Sequence, residues 1–261
     1  VQRFVYGFPI VGDIPDSGLH RPAYRPATEP LATFNPASNK AWCTSVAASL
    51  TRRAANAAAG SERDGLLELE RVTRKEARDG FLQGPVTAAG LHRTFGPWVW
   101  RVMRRFGVWQ GEGLSRKLRA IDNARTALFN AASTTYETVA CISVFFVVHA
   151  VAVFATACAA RRTSVPRLRL GLDDLRAAYR RIPVDAPHFS VFAIWSFERA
   201  RVVFYYLAGH CFGFVSAVVN FNRFPKLMVA MARVLLAVVV DHYFDDYIHL
   251  DTVAGGDSGQ E

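Results

Sequence analysis

Three carboxylates in the last third of the chain have the types and settings that metal-assisted chemistry needs. Leu168, Leu170 and Leu172 alternate with Arg169 and Gly171, the two-residue period of a strand, and that strand runs into Asp173 and Asp174. Further on, Val238 to Val240 form a β-prone run, and Tyr243 to Leu250 resumes it around Asp245 and Asp246. This pattern predicts a strand-turn-strand hairpin with both acids at its tip. An acid leaving the end of a buried strand can present oxygen to a cleft, and neighbouring acids at a turn can take different roles. Two divalent ions about 4 Å apart acidify a hydroxyl nucleophile and neutralise a departing pyrophosphate, and hard oxygen ligands hold such ions. Three carboxylates from two segments are a sufficient protein share of those ligands. Asp is also a common turn residue, so a polar hairpin tip is the alternative account of Asp245 and Asp246.

The totals set bounds on the partner. The chain has 261 residues, half of them hydrophobic and a fifth charged, which is a globular composition. Its net charge of +9 and isoelectric point near 9.8 favour a polyanionic partner, either nucleic acid or an anionic membrane face. Cys43, Cys141, Cys158 and Cys211 lie far apart without a C-x-x-C pair, which argues against a disulfide scaffold or zinc knuckle and fits a reducing intracellular compartment, cytoplasmic or nuclear. No charged-then-apolar leader opens the sequence, and the histidines show no ligand spacing. The first residue is Val1, and the chain stops soon after the acidic hairpin, so a fragment of a longer polyprotein is expected.

Several elements must position the acids. Residues 1 to 40, rich in proline and glycine, read as an extended arm with turns. An alanine-rich helix is expected from Ala41 to Gly60, and a second one capped by Ser61, with Leu66, Leu67, Leu69 and Val72 on one apolar face up to Asp79-Gly80. Residues 94 to 125 interleave Arg101, Arg104, Arg105, Arg116, Lys117, Arg119 and Arg125 with Trp98, Trp100, Phe106 and Trp109. Basic groups neutralise phosphates and aromatic faces stack on bases, although a solvated surface with inward aromatics has the same composition. Val139 to Ala160 is apolar except for Ser143, His149 and Thr156 and ends at Arg161-Arg162. Its length suits a bilayer span, but the central His149, the alanines and the basic flanks favour a helix buried on most sides.

Four segments together resemble reverse transcriptases of the retroelement type. Leu172 to Val184 is similar to their first palm motif, an apolar strand followed by D-L-K-x-A-[FY] and a short I-P-[LV]. Tyr243-Phe244-Asp245-Asp246 resembles the Y-x-D-D box, and His210 to Phe224 (HCFGFVSAVVNFNRF) the glycine-centred motif before the palm helix. Upstream, RKLRAIDNAR with Asn130-Ala131-Ala132 resembles the fingers segment. All four stand in the family's order.

The resemblance implies an α/β (α+β) polymerase palm, an antiparallel sheet flanked by helices, with a fingers subdomain and no thumb. It divides the chain into an arm with a helical extension, 1–93, and a fingers-palm domain, 94–261, with the long apolar helix linking fingers to palm. It implies RNA-directed DNA synthesis on an RNA template with a DNA primer and dNTPs. Mg²⁺, or alternatively Mn²⁺, would be held by Asp174, the Leu175 carbonyl, Asp245 and Asp246, with Asp173 a neighbour rather than a ligand. Tyr179 would be the aromatic gate beneath the sugar. Lys117 and Arg119 would grip the triphosphate, and Phe212 and Gly213 would line the nucleotide. Arg176, Arg180 and Arg181 would oppose metal binding, so they are expected to reach template or primer phosphate. No membrane is expected, and the thumb, RNase H and integrase or recombinase would belong to the missing remainder of the polyprotein. A catalytically inactive remnant that binds nucleic acid is the alternative. The sequence departs from the family at Asn123, where a second fingers acid is usual, and at Ala217-Val218, which lack the palm-helix proline; Pro225 is expected to kink that helix.

Overall fold

The computed structural model describes residues 2–57, 60–140, 142–143 and 145–253. In chain order the helices are α1 (Gln2–Tyr6), α2 (Pro36–Asn56), α3 (Ser61–Arg78), α4 (Ala88–Phe95), α5 (Phe145–Ala160) and α6 (Val215–Leu236). The strands are β1 (Gly12–Ile14), β2 (Arg21–Arg25), β3 (Gln83–Val86), β4 (Val102–Gln110), β5 (Lys117–Asp122), β6 (Ser133–Thr138), β7 (Leu168–Asp174), β8 (Val191–Ser196), β9 (Arg201–Tyr206), β10 (Val239–Tyr243) and β11 (Asp246–Thr252). The protein is therefore mixed α/β, with mixed and antiparallel sheets. The chain forms two compact units: residues 1–16, 23–136 and 179–218 make the first, and residues 17–22, 137–178 and 219–261 the second.

The first unit is built on a five-stranded sheet in the order β3-β9-β8-β4-β5. Every neighbouring pair is antiparallel except β4 and β8, which run parallel. The β8 run VFAIW is apolar without alternation because both its faces are covered. Val191 and Ala193 meet Cys43, Val46 and Leu50 of α2, while Phe192 and Ile194 pack with Leu69 of α3 and with Met103 and Phe129. Helix α2 begins where the Asn35 side chain accepts from the Ser38 N–H at 3.0 Å, with Pro36 at the first helical position. Residues on both sides of 93/94 contribute to the first unit. The apolar faces of α2 and α3 need cover, and the sheet formed by later residues supplies it. Ser61 does not cap α3; that position is Gly60, at φ +86°. The proline-rich start is packed onto the first unit: Phe8, Ile10 and Ile14 are buried, and β1 pairs in parallel with β6.

The second unit centres on the antiparallel sheet β10-β11-β7. Helix α6 is anchored to it by Arg233, whose Nε donates to the Val240 carbonyl at 2.9 Å and whose Nη2 meets Asp241 at 3.0 Å. Pro225 lies inside α6, which continues through it. The apolar stretch is shorter than expected: helix α5 has 16 residues, and none of those described is buried, so it is not the enclosed helix its composition suggested. Among the described residues no helix is long and apolar enough to cross a membrane.

Candidate functional site

The acidic hairpin forms as its residues dictate. Val239 to Tyr243 pairs with Asp246 to Leu250, and the Tyr243–Asp246 pair closes a two-residue turn of Phe244 and Asp245. Phe244 takes a left-handed φ of +54°, the region that tight hairpin turns require. Strand β7 lies on the other side of β11 in antiparallel register, with Asp174 directly across from Asp246 and Asp173 across from Tyr247. Facing residues in such a pair share one side of the sheet, so Asp174 and Asp246 are neighbours on the same face. The Leu175 N–H donates to the Asp245 carbonyl at 2.9 Å, tying the end of β7 to the turn. Asp174, Asp245 and Asp246 are thus drawn to one end of one sheet.

Two like charges directly opposite destabilise a strand pair, by roughly 0.2–1 kcal/mol on the usual scale of cross-strand pairs. Among the described residues no lysine, arginine or histidine ion-pairs with any of the three acids. Partial burial, then the charges of Asp245 and Asp174, push the Asp246 carboxyl above its ordinary range. As placed, no group of three or more His, Cys, Asp or Glu side chains among the described residues is gathered into a metal-holding set. The Leu175 carbonyl accepts from the Ala178 N–H at 3.1 Å, which leaves one of its two lone pairs.

Asp173 belongs to the opposite face, where its carboxylate lies 3.2 Å from Nδ1 of His249. Gly171 makes room for that histidine, because a Cβ there would overlap the imidazole. Asp173, Tyr247 and His249 border an open cleft of about 600 Å³, lined also by Asp174, Phe154, Met228 and Leu236. One expectation about the strand fails: β7 is not buried. It is an edge strand with Leu170 and Leu172 more than half exposed, because its alternation supplies one apolar face and nothing among the described residues covers it.

The remaining candidates lie in the first unit. Lys117 and Arg119 alternate on the exposed side of β5, and the Arg119 Nε donates to the Gln110 side chain across the hairpin at 3.1 Å. Tyr179 packs edge to face on Phe212, ring centroids 5.2 Å apart, and its carbonyl accepts from the His210 N–H at 3.1 Å. Gly213 has φ +104°, and a Cβ there would lie under 3.0 Å from the Asp122 carbonyl oxygen, so only glycine fits. Asn130 brackets this turn: its Nδ2 donates to the Gly213 carbonyl at 2.8 Å, and its Oδ1 accepts from the Val215 N–H at 2.9 Å.

One expected role is overturned. Arg180 does not reach outward for phosphate; its side chain is almost fully buried, 3.2 Å from Glu76 and 3.9 Å from Asp122. Arg105, read as part of a basic surface, is also buried, with Nε 3.0 Å from Asp122 and Nη2 2.7 Å from Glu76. The sequence held a signal for this cluster. Asp122 sits on β5 in phase with Leu118, the inward residue, and a charge at an inward strand position requires a buried partner.

Neither the protein-family models nor the curated proteins contain a match to this chain.

Proposed function

We propose that this protein is a template-directed nucleotidyltransferase that carries out RNA-directed DNA synthesis, and that the finer description of its fold is a polymerase palm with fingers. What carries the reading is the register that sets Asp174 opposite Asp246, one residue beyond the turn residue Asp245. Hard oxygen donors that face one another and, among the described residues, pair with no cationic side chain are the donor set of a divalent-ion site; the Asp246 carboxyl is raised first by partial burial and then by the charges of Asp245 and Asp174. Asp174, Asp245 and Asp246, with the Leu175 carbonyl, would hold Mg²⁺ or Mn²⁺. When bound, the ions would supply acidification of the primer hydroxyl and neutralisation of the leaving pyrophosphate. Lys117 and Arg119 would pair with triphosphate oxygens, Arg119 through two nitrogens at once. Tyr179 would crowd a ribose 2′-hydroxyl, favouring deoxynucleotides. Gly213 would let backbone approach the nucleotide beside Phe212.

Primer extension on an RNA template, with Mg²⁺ and dNTPs, tests the reading. Extension that disappears in Asp245→Asn supports it; extension that is absent, or equal in that variant, refutes it. A second reading is nucleic-acid binding without polymerisation, favoured by the lack of a converged set of three metal-ligating side chains among the described residues. Salt-sensitive RNA binding without metal-dependent incorporation would select it.

A further inference from the structure

Strand β7 leaves one edge of the second unit's sheet open: β11 pairs with one side of it, and among the described residues no strand pairs with the other. None of its seven residues is buried, and Leu170 and Leu172 are 55% and 67% exposed. Backbone bonds at its two ends fix which groups point outward. The Leu175 N–H donates to the Asp245 carbonyl and the Val253 N–H to the Arg167 carbonyl, both at 2.9 Å. Stepping by two residues from these bonds, Arg169, Gly171 and Asp173 turn their backbone groups towards β11, and Leu168, Leu170, Leu172 and Asp174 turn theirs away from it. A long apolar edge with outward N–H and C=O groups is a template for another strand.

The edge is complementary to itself. Laid antiparallel on a second copy and centred on Gly171, the run LRLGLDD sets Arg169 opposite Asp173 and Leu170 opposite Leu172, each twice by symmetry. No other antiparallel self-pairing matches all seven residues, and in this one neither acid faces an acid. The backbone phase also agrees. Leu170 and Leu172 would exchange the hydrogen bonds, while Arg169 and Asp173 would fall at the closer, non-hydrogen-bonded positions. The Asp173 side chain is 64% exposed. Arg169 has five N–H donors, so a further carboxylate can join the contacts it makes within its own chain.

We propose that β7 is a self-pairing edge through which two copies of this chain form an antiparallel dimer, joining their three-stranded sheets into one of six strands. The contact uses the same edge on both copies, so it closes at two. Facing residues share one side of a sheet, which puts both acidic tips on the same face, at opposite ends of the new strand pair. A seven-residue edge is a small contact, and the dimer is expected to be reversible. Nothing in this assembly requires the chain to be an enzyme.

Sedimentation velocity of the full chain over a range of concentrations reads the dimer, with thermal melts to verify folding. Wild type should pass from monomer to dimer as concentration rises. Arg169→Asp and Asp173→Arg each turn two attractive pairs into two repulsive ones, and should weaken self-association about tenfold or more. Mixed in equal amounts, these two variants should recover a dimer of wild-type strength, because every 169–173 pair across it is again of opposite charge. Leu172→Pro changes no charge; it removes an outward N–H that β11 does not use, and should also weaken the dimer. A wild-type chain that stays monomeric throughout, or that grows past the dimer into polymers, would overturn the proposal. So would folded charge variants that dimerise like wild type, or a mixture of them that associates no better than its components. Should a charge variant fail to fold, an undiminished dimer in Leu172→Pro overturns the proposal by itself.

Discussion

Replacing Gly213 by alanine isolates how tightly the loop before α6 is held against β5. The residue has φ +104°, outside even the left-handed helical region, which for an L residue costs on the order of 1–3 kcal/mol. The added Cβ would also lie closer than 3.0 Å to the Asp122 carbonyl oxygen, backbone that cannot swing aside as a side-chain tip can. Overpacking of that kind adds about 1–3 kcal/mol, so Gly213→Ala should cost roughly 2–6 kcal/mol in total. For a chain of this size the melting temperature should fall by about 5–15 °C. Gly80→Ala is the control, because Gly80 has φ +83° but nothing within 4 Å of its Cβ position. It should lose only the conformational part, about 1–2 kcal/mol. Denaturant and thermal melts of both variants measure the difference. Equal losses would refute the reasoning, since the close approach of Asp122 would then carry no energy.

Arg105→Met removes the central partner of Asp122 and Glu76 and should destabilise the chain by about 3–5 kcal/mol in urea melts, with part recovered by adding Asp122→Asn. The raised Asp246 carboxyl makes a pH prediction. Its contribution to stability is complete below the ordinary value of 3.8 and is lost as pH rises through the higher folded value. Asp246→Asn should therefore be more stable than wild type at neutral pH, by an amount that vanishes towards pH 3.8 and shrinks when Mg²⁺ is added. Burial holds His242 below its ordinary 6.5 despite the contact of its Nδ1 with the Phe244 carbonyl. Stability from that histidine is present above pH 6.5 and lost as pH falls through the lower folded value. Melts between pH 7 and 5 should thus show acid destabilisation, which His242→Asn reduces.

The hairpin could be read from its residues because alternation and a two-residue turn fix register locally. The meeting of Asp174 with Asp246 was expected, but the register that produces it joins residues more than seventy positions apart and no local signal encodes it. Arg105 and Arg180 read as surface charges for a related reason: a charged residue looks solvated until its partners are known, and these partners lie on α3 and β5. Composition also could not say whether α5 is covered, because apolar residues record an avoidance of water and not what shields them. Ser61 has the chemistry of a cap, yet Gly60 takes that place with a positive φ that serine would adopt at a cost.

Divalent-ion binding by the facing carboxylates is what nucleotidyl transfer at this hairpin requires. Titrating Mn²⁺ into the folded chain, followed by electron paramagnetic resonance, measures this without requiring catalysis. Saturable binding is predicted, weakened about tenfold or more in Asp174→Asn and in Asp246→Asn, with both variants still folded. No saturable binding, or binding that both substitutions leave intact, would contradict it.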